Sequence, residues 1–351
     1  MAKINPKIDI RTSPYIRKAP TVPQIMRNVV YALLPIVAFS FYHFGISALA
    51  LLTATTLSCV LTEHLFCKLA GKKTTITDAS AVITGLLLAM SLPPGFPLWM
   101  GAVGGFVAIA MGKTLFGGLG FNVFNPALVG RAFVQAAFPV SITTWTPAHA
   151  TGRFFEFIPS TLALPFMKPE PTADWSLQVA PDGFTGATPL SLMKFQSIQT
   201  DNYDLLMGLT AGSVGETSAL LILLCGAYLA VRKMLDWRIP AAVIFGTALA
   251  AQCFHWLNPD QYPTAEFMIL AGGLMFGAVF MASDMVASPV TPLGIFVFGL
   301  LVGSLTVIIR LFGGLTESVM YAILLGNAAT PIIELYTQPR IYGARNKENK
   351  S

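Results

Sequence analysis

The segment Asp182 to Leu190, DGFTGATPL, has the residue types best suited to hold a bulky reactive group. Thr188 supplies a hydroxyl that reads as accessible, and Gly186 and Ala187 before it are small enough to let a partner approach the backbone closely. The same residues have a purely structural reading. Asp182 and Gly183 favour a turn, and Thr188 followed by Pro189 suits a helix N-cap with proline at the first helical position.

A second set of residues interrupts long apolar runs. Asn122, Asn125, Pro126 and Arg131 break one such run, and Asp284, Ser288, Pro289 and Pro292 break another. Polar and helix-breaking residues at membrane depth are costly, and they occur where they line a protein-buried or wet cavity. Some of these positions are equally readable as span ends, Asp284 and Asn122 above all. Arg131 falls several residues inside a run, so it can snorkel, pair with Asp78 or Asp284, or donate to a bound cofactor. Asp78 opens a run of its own, where an aspartate also serves as an N-cap.

Other chemistry-bearing residues are less informative. His43, His64, His149 and His255 are too dispersed to argue for haem or a metal, and no metal site is expected. Cys59, Cys67, Cys225 and Cys253 sit within apolar runs without a CxxC pair, which reads as buried, inert thiols rather than a disulfide framework.

The elements that must position these residues are hydrophobic helices. The 351 residues are 54% hydrophobic and only 11% charged, with a mean hydropathy of +0.65. A soluble globule carries about a quarter charged residues. The apolar runs are about 18 to 22 residues long, enough to cross a hydrocarbon core at 1.5 Å rise per residue. The fold class is therefore all-α integral membrane, with about ten transmembrane helices expected near 24–42, 45–66, 77–92, 97–115, 125–144, 216–234, 239–256, 265–282, 292–310 and 316–335.

Charge placement predicts the topology. With a cytoplasmic N-terminus, 17 of the 22 Lys and Arg residues, Lys113 included, fall on the cytoplasmic side. Both termini are then cytoplasmic. The net charge of +5 reports orientation, and no nucleic-acid partner is implied. The N-terminus has no apolar core before about residue 28, unlike a cleavable signal peptide. The expected organisation is a tail at 1–23, a first five-helix membrane half at 24–144, a periplasmic loop at 145–215, a second five-helix half at 216–335 and a tail at 336–351. The long loop is rich in prolines and aromatic residues, which favours order and packing on the membrane domain.

LFGGL occurs at Leu115 to Leu119 and again at Leu311 to Leu315. Five spans precede the loop and five follow, so the halves are expected to be inverted repeats, an arrangement that places sites between them near the midplane.

DGFTGATPL resembles the flavinylation motif of RnfD, a membrane component of the Rnf ion-translocating electron-transport complex, and of its relative in sodium-translocating NADH:quinone reductase. TDASAVITGLLLAMSLPPG (Thr77 to Gly95), GGLGFNVFNPALVGRAF (Gly117 to Phe133) and MASDMVASPVTPLG (Met281 to Gly294) also resemble segments of that family. The chain length and short N-terminal tail fit the Rnf member better than its longer quinone-reductase relative. The resemblance implies FMN joined through its phosphate to Thr188 by a separate flavin transferase acting outside the cytoplasm. Asp182, Gly186 and Ala187 complete that attachment motif. It implies a second, noncovalent flavin, riboflavin, held at broken helices, for which Asp78, Asn122, Asn125, Arg131 and Asp284 are candidates, as they are for an ion path. It implies a six-subunit electron-transport complex in a bacterial inner membrane.

The chain shows no Gly-rich dinucleotide loop after a strand and no cluster-binding cysteine spacing, so NADH and ferredoxin chemistry is expected of partner subunits. No residue of this chain is assigned a catalytic role. A solute channel or transporter is the rival reading, since an inverted repeat and broken helices suit it equally. A passive membrane anchor is a third.

Overall fold

The computed structural model describes residues 21–72, 74–179, 187–216, 218–259, 261–314 and 316–339. The described regular structure is helical throughout. Five helices are long and apolar enough to cross a membrane: α1 (Val22–Phe44), α2 (Ile46–Leu69), α11 (Arg238–Leu257), α14 (Pro292–Phe312) and α15 (Val319–Thr337). Shorter apolar helices are α3 (Ser80–Met90), α4 (Leu98–Ile109, continued by a π-helical turn at Ala110–Thr114) and α10 (Ala219–Val231).

The remaining apolar runs are interrupted. One is α5 (Pro126–Ala137) followed by the single turn α6 (Pro139–Ile142). The other is α12 (Ala265–Leu270), a break, then α13 (Leu274–Phe276) running into a π-helical turn at Gly277–Met281. Between α6 and α10 lie three short helices, α7 (Ala173–Val179), α8 (Pro189–Gln196) and α9 (Asn202–Met207).

Caps define many of these starts. Asn125, Thr188, Asp201, Ser218, Thr264 and Thr291 each accept a backbone N–H at a helix N-terminus. Pro126, Pro189 and Pro292 occupy the first turn, where no donor is lost.

Two helix pairs pack closely, one on each side of the 145–215 segment. In the first, α2 packs on α4; in the second, α11 packs on α14. Both contacts depend on missing side chains. A Cβ at Gly105 would lie 2.9 Å from the Thr55 carbonyl oxygen, and one at Gly303 would lie 2.5 Å from the Thr247 nitrogen. Small residues let helices approach until their backbones touch, which replaces the hydrophobic drive that lipid removes.

Residues 145–161 close one end of the first half. His149 N–H donates to the His43 carbonyl (3.0 Å), Ile46 N–H to the Arg153 carbonyl (2.9 Å), Arg153 Nε to the Tyr42 carbonyl (2.8 Å) and Leu98 N–H to the Thr161 carbonyl (3.1 Å). These bonds satisfy backbone groups around the ends of α1, α2 and α4. The expected packing of this segment on the helices is observed for its described residues.

Two expectations change. Cys59 and Cys225 are buried, but Cys67 is half-buried and Cys253 is exposed on α11, because a helix that faces lipid buries only part of its circumference. His43 and His149, far apart in sequence, stack with ring centroids 4.2 Å apart. Among the described residues, no group of three or more His, Cys, Asp and Glu residues is arranged to hold a metal ion.

Candidate functional site

Thr188 caps α8. Its Oγ1 accepts from Ser191 N–H (3.3 Å) and lies 3.1 Å from Ser191 Oγ. The residue is only 3% exposed, so the accessible hydroxyl expected from sequence is instead turned inward by capping. The helix behind it is fixed at two points. Leu190 packs with Leu205, Phe267 and Ala271, and Lys194 Nζ donates to the Arg310 carbonyl (2.9 Å) and to the Gly313 carbonyl at the end of α14. Loss of water lowers the Lys194 pKa below its ordinary value. Beside Thr188 opens a cleft of about 700 Å³, lined by Gln135, Trp145, Ala187, Ser191, Phe195 and Glu317 among others. Asp182 and Gly186 lie outside the described residues.

Leu190 docks where the α12 run is broken. Gly272 has φ +66°, so the break needs glycine for its conformation, and Leu190 Cδ1 fills the space where a Cβ would stand. The carbonyls released by the break are taken by Arg310 of α14, whose Nη1 donates to Met268 (2.5 Å) and Nη2 to Ala271 (2.9 Å). An irregular backbone inside a bundle is stable only when such groups are satisfied.

Arg131 lies deep on α5, and it pairs with neither Asp78 nor Asp284. Its Nη1 donates to Glu216 (3.2 Å) and its Nη2 to Glu317 (2.5 Å). The turns before α10 and α15 bring those carboxylates to it, and the sequence reading singled out neither. A cavity of about 330 Å³ touches Arg131, Glu216, Gly273 and Glu317, and Glu317 also borders the cleft beside Thr188.

A second pocket, of about 790 Å³, lies between the halves. Asn122, Asn125 and Asp284 converge there. Asn122 Nδ2 donates to Asp284 (3.3 Å), and Asn125 Nδ2 to the Met281 carbonyl (3.1 Å) while its Oδ1 caps α5. Asn327 of α15, with its amide turned to suit its partners, donates to the Ala287 carbonyl and accepts from Asn125 N–H, each at 3.2 Å. The π-helical turns of both halves reach the pocket through Lys113 and through Val279 and Phe280. Such turns recur at functional sites.

Lys113, counted from sequence among the cytoplasmic-side bases, is buried in the pocket wall and bound to both oxygens of Glu63 (2.8 and 2.9 Å) and to Ser80 Oγ (2.6 Å). Burial demands the partner, because an unpaired ammonium there would be expensive. Asp78 is not the N-cap of α3, a place taken by Ala79, but ends the turn before it and accepts from Ser80 N–H (2.8 Å) and Ser80 Oγ (2.6 Å). It stands behind the pocket wall. The signal for Glu63 and Lys113 was present, since each falls inside a predicted apolar run where an ionisable residue calls for a named partner, whereas Glu216 and Glu317 stand at the starts of theirs and read as span ends.

Together these features define a multi-pass α-helical membrane protein with two buried polar sites built at broken helices. The chain belongs to the NQR2, RnfD, RnfE family, whose pattern matches residues 9–343. It is 40% identical over 340 residues to the subunit designated D in the Na(+)-translocating ferredoxin:NAD(+) oxidoreductase complex of Acetobacterium woodii, covering 96% of this chain and 95% of that one. It is 39% identical over 346 residues to the subunit designated D in the proton-translocating ferredoxin:NAD(+) oxidoreductase complex of Clostridium ljungdahlii, covering 96% of each. Against the equivalent protein of the ion-translocating oxidoreductase complex of Escherichia coli the identity is 34% over 347 residues, covering 96% of this chain and 98% of that one. The family resemblance read from the motifs is thereby borne out.

Proposed function

We propose that this chain is the membrane-embedded RnfD component of an Rnf-type complex that couples electron transfer of the ferredoxin/NADH type to cation translocation, and that it carries FMN on Thr188. The family assignment and the names of its relatives support the first part. Two relatives of nearly equal identity are named for different cations, Na(+) and protons, so similarity does not choose the ion.

The second part rests on one observation: Thr188 caps a firmly docked helix beside a cleft whose residues suit a flavin. Trp145 and Phe195 offer ring faces, and Gln135, Thr143 and Thr316 offer hydrogen bonds. The N-terminus of α8 suits the single negative charge of a phosphodiester. A flavin fixed there supplies electron transfer, and the protein sets its position and its access to water. Because Thr188 is buried in its capping bond to Ser191, attachment requires the start of α8 to open towards the transferase.

The pocket lined by Asn122, Asn125 and Asp284 suits a phosphate-free flavin such as riboflavin. Its walls are apolar at Met26, Val29, Ile83, Leu87 and Phe280, with amides at Asn122 and Asn125 for hydrogen bonding. Its lysine is already neutralised by Glu63. Arg131 belongs to the cleft side instead.

The proposed setting is the cell inner membrane, with ten spans in two inverted halves, both termini cytoplasmic and residues 145–215 periplasmic. The matching α2–α4 and α11–α14 pairs support the repeat. Partners are the other subunits of a six-subunit complex, with a separate flavin transferase for attachment. Expression with that transferase, full denaturation and in-gel fluorescence tests the assignment. A fluorescent wild-type band and a dark Thr188→Ala band are expected. A dark wild type sinks the covalent-flavin reading, and a bright mutant moves the attachment elsewhere. A reporter fused within residues 160–200 is expected to read the outer compartment; a cytoplasmic signal inverts the topology.

A further inference from the structure

Four ionisable groups gather near the cleft: Arg131 from α5, Glu216 before α10, Glu317 before α15 and Arg310 from α14. Their formal charges cancel. Their hydrogen bonding does not close, since Arg131 Nε, Glu216 Oε2 and Arg310 Nε are buried without a partner among the described residues. The adjoining cavity has about 20 Å³ open to the centre of a water-sized sphere, room for about one water, and its polar lining is the kind that holds it.

Among the two carboxylates, position separates the roles. Glu216 is the more enclosed, with its side chain 4% exposed against 12% for Glu317. Glu317 borders both the inner cavity and the cleft beside Thr188. The groups acting on it are Arg131, Glu216 and Arg310, and the Tyr321 phenol of α15 stands in the field of Arg131.

We propose that Glu317 is the proton-exchanging group of this site, taking up one proton from cleft water when negative charge arrives beside Thr188. The inference rests on the reading of Thr188 as the anchor of a redox group. An added electron would leave the buried region with an uncompensated charge, which low-dielectric surroundings penalise heavily. Protonation of Glu317 restores neutrality. Per electron delivered by a reduced partner centre, one proton leaves water and forms one O–H bond on Glu317. Arg131 then keeps Glu216 as its charged partner. Reoxidation returns the proton through the same face, and no other bond changes.

Dicyclohexylcarbodiimide tests this, because it attacks protonated carboxyls in apolar surroundings and leaves an adduct that peptide mass spectrometry can place. The full chain, loaded with covalent flavin and checked by in-gel fluorescence, would be labelled oxidised and after dithionite reduction. Labelling at Glu317 is expected to rise several-fold on reduction and to fall as pH rises, with Glu216 and Glu63 unlabelled. Glu317→Gln should lose the adduct yet keep the fluorescent band, and Glu216→Gln should keep the band but weaken labelling at Glu317, since Glu317 is then the one carboxylate facing Arg131 and Arg310. Glu317 labelling that is absent, or indifferent to reduction in a fluorescent protein, overturns the proposal and leaves the covalent attachment standing. A non-fluorescent wild type brings down the attachment and, with it, this role for Glu317.

Discussion

The pocket between the halves and the cleft beside Thr188 both contain buried ions, but they are assembled differently. At the pocket, one lysine meets one glutamate: Lys113 is bound to both oxygens of Glu63, while Asp284 is held by Asn122, and Asn125 and Ser80 supply further polarity. At the cleft, one arginine serves two carboxylates, and three polar atoms of its cluster lack partners among the described residues. A closed pair makes a wall. An open cluster can change its protonation, which suits a site where charge comes and goes.

The largest expected effect comes from breaking that difference at Arg131. Arg131→Met strands both Glu216 and Glu317, whereas Glu63→Ala strands only Lys113. Removal of one partner of a buried pair costs about 3–5 kcal/mol, so Glu63→Ala should lower thermal stability in detergent strongly and Arg131→Met more strongly still. The double change Glu63→Leu with Lys113→Met should recover most of the first loss. Equal melting curves for the two single variants would remove the distinction between wall and cluster.

Next comes the small-residue packing that holds the second half together. Gly303→Val places carbon against backbone, with a Cβ 2.5 Å from the Thr247 nitrogen, and should cost about 1–3 kcal/mol or more. Gly314→Ala meets nothing within 4 Å and should stay within about 0.5 kcal/mol of wild type. Thermal melts of the pair decide it.

Smaller effects sharpen the comparison at the caps. Thr188→Ala loses the α8 cap and should cost about 1 kcal/mol, while Thr188→Ser should keep it. Asn125→Ala loses the α5 cap and the bond to Met281 together, so its melting loss should exceed that of Thr188→Ala.

The smallest effect is pH-dependent. Burial and the nearby Arg153 hold His149 below its ordinary 6.5. The unfolded segment therefore binds more protons in acid than the docked one, and docking weakens as pH falls through 6.5. Proteolysis of residues 145–161 should be faster at pH 5.5 than at pH 7.5, with the difference reduced in His149→Gln. Because His149 is exposed, solvent screening keeps the effect modest.

Much of the site was legible in the chain. The capping pattern of Thr188 and Pro189 is present as read, and Asn122, Asn125 and Asp284 do line one pocket. Polar residues inside apolar runs announce themselves, since lipid leaves them nowhere else to go. The partners of Arg131 were not legible. Glu216 and Glu317 lie 85 and 186 residues away in sequence, and one-dimensional spacing carries no record of which turns meet.

The amino-acid order by itself determined that this chain is a bundle of apolar helices, because its composition admits no water-soluble surface, and it marked the interruptions where polar groups must gather. Tertiary structure decided which interruptions share a cavity, that Lys113 is buried in a wall against Glu63, and that the Thr188 hydroxyl faces inward. Those outcomes depend on how helices with glycine contacts settle against one another, and that close fit is a property of assembled surfaces.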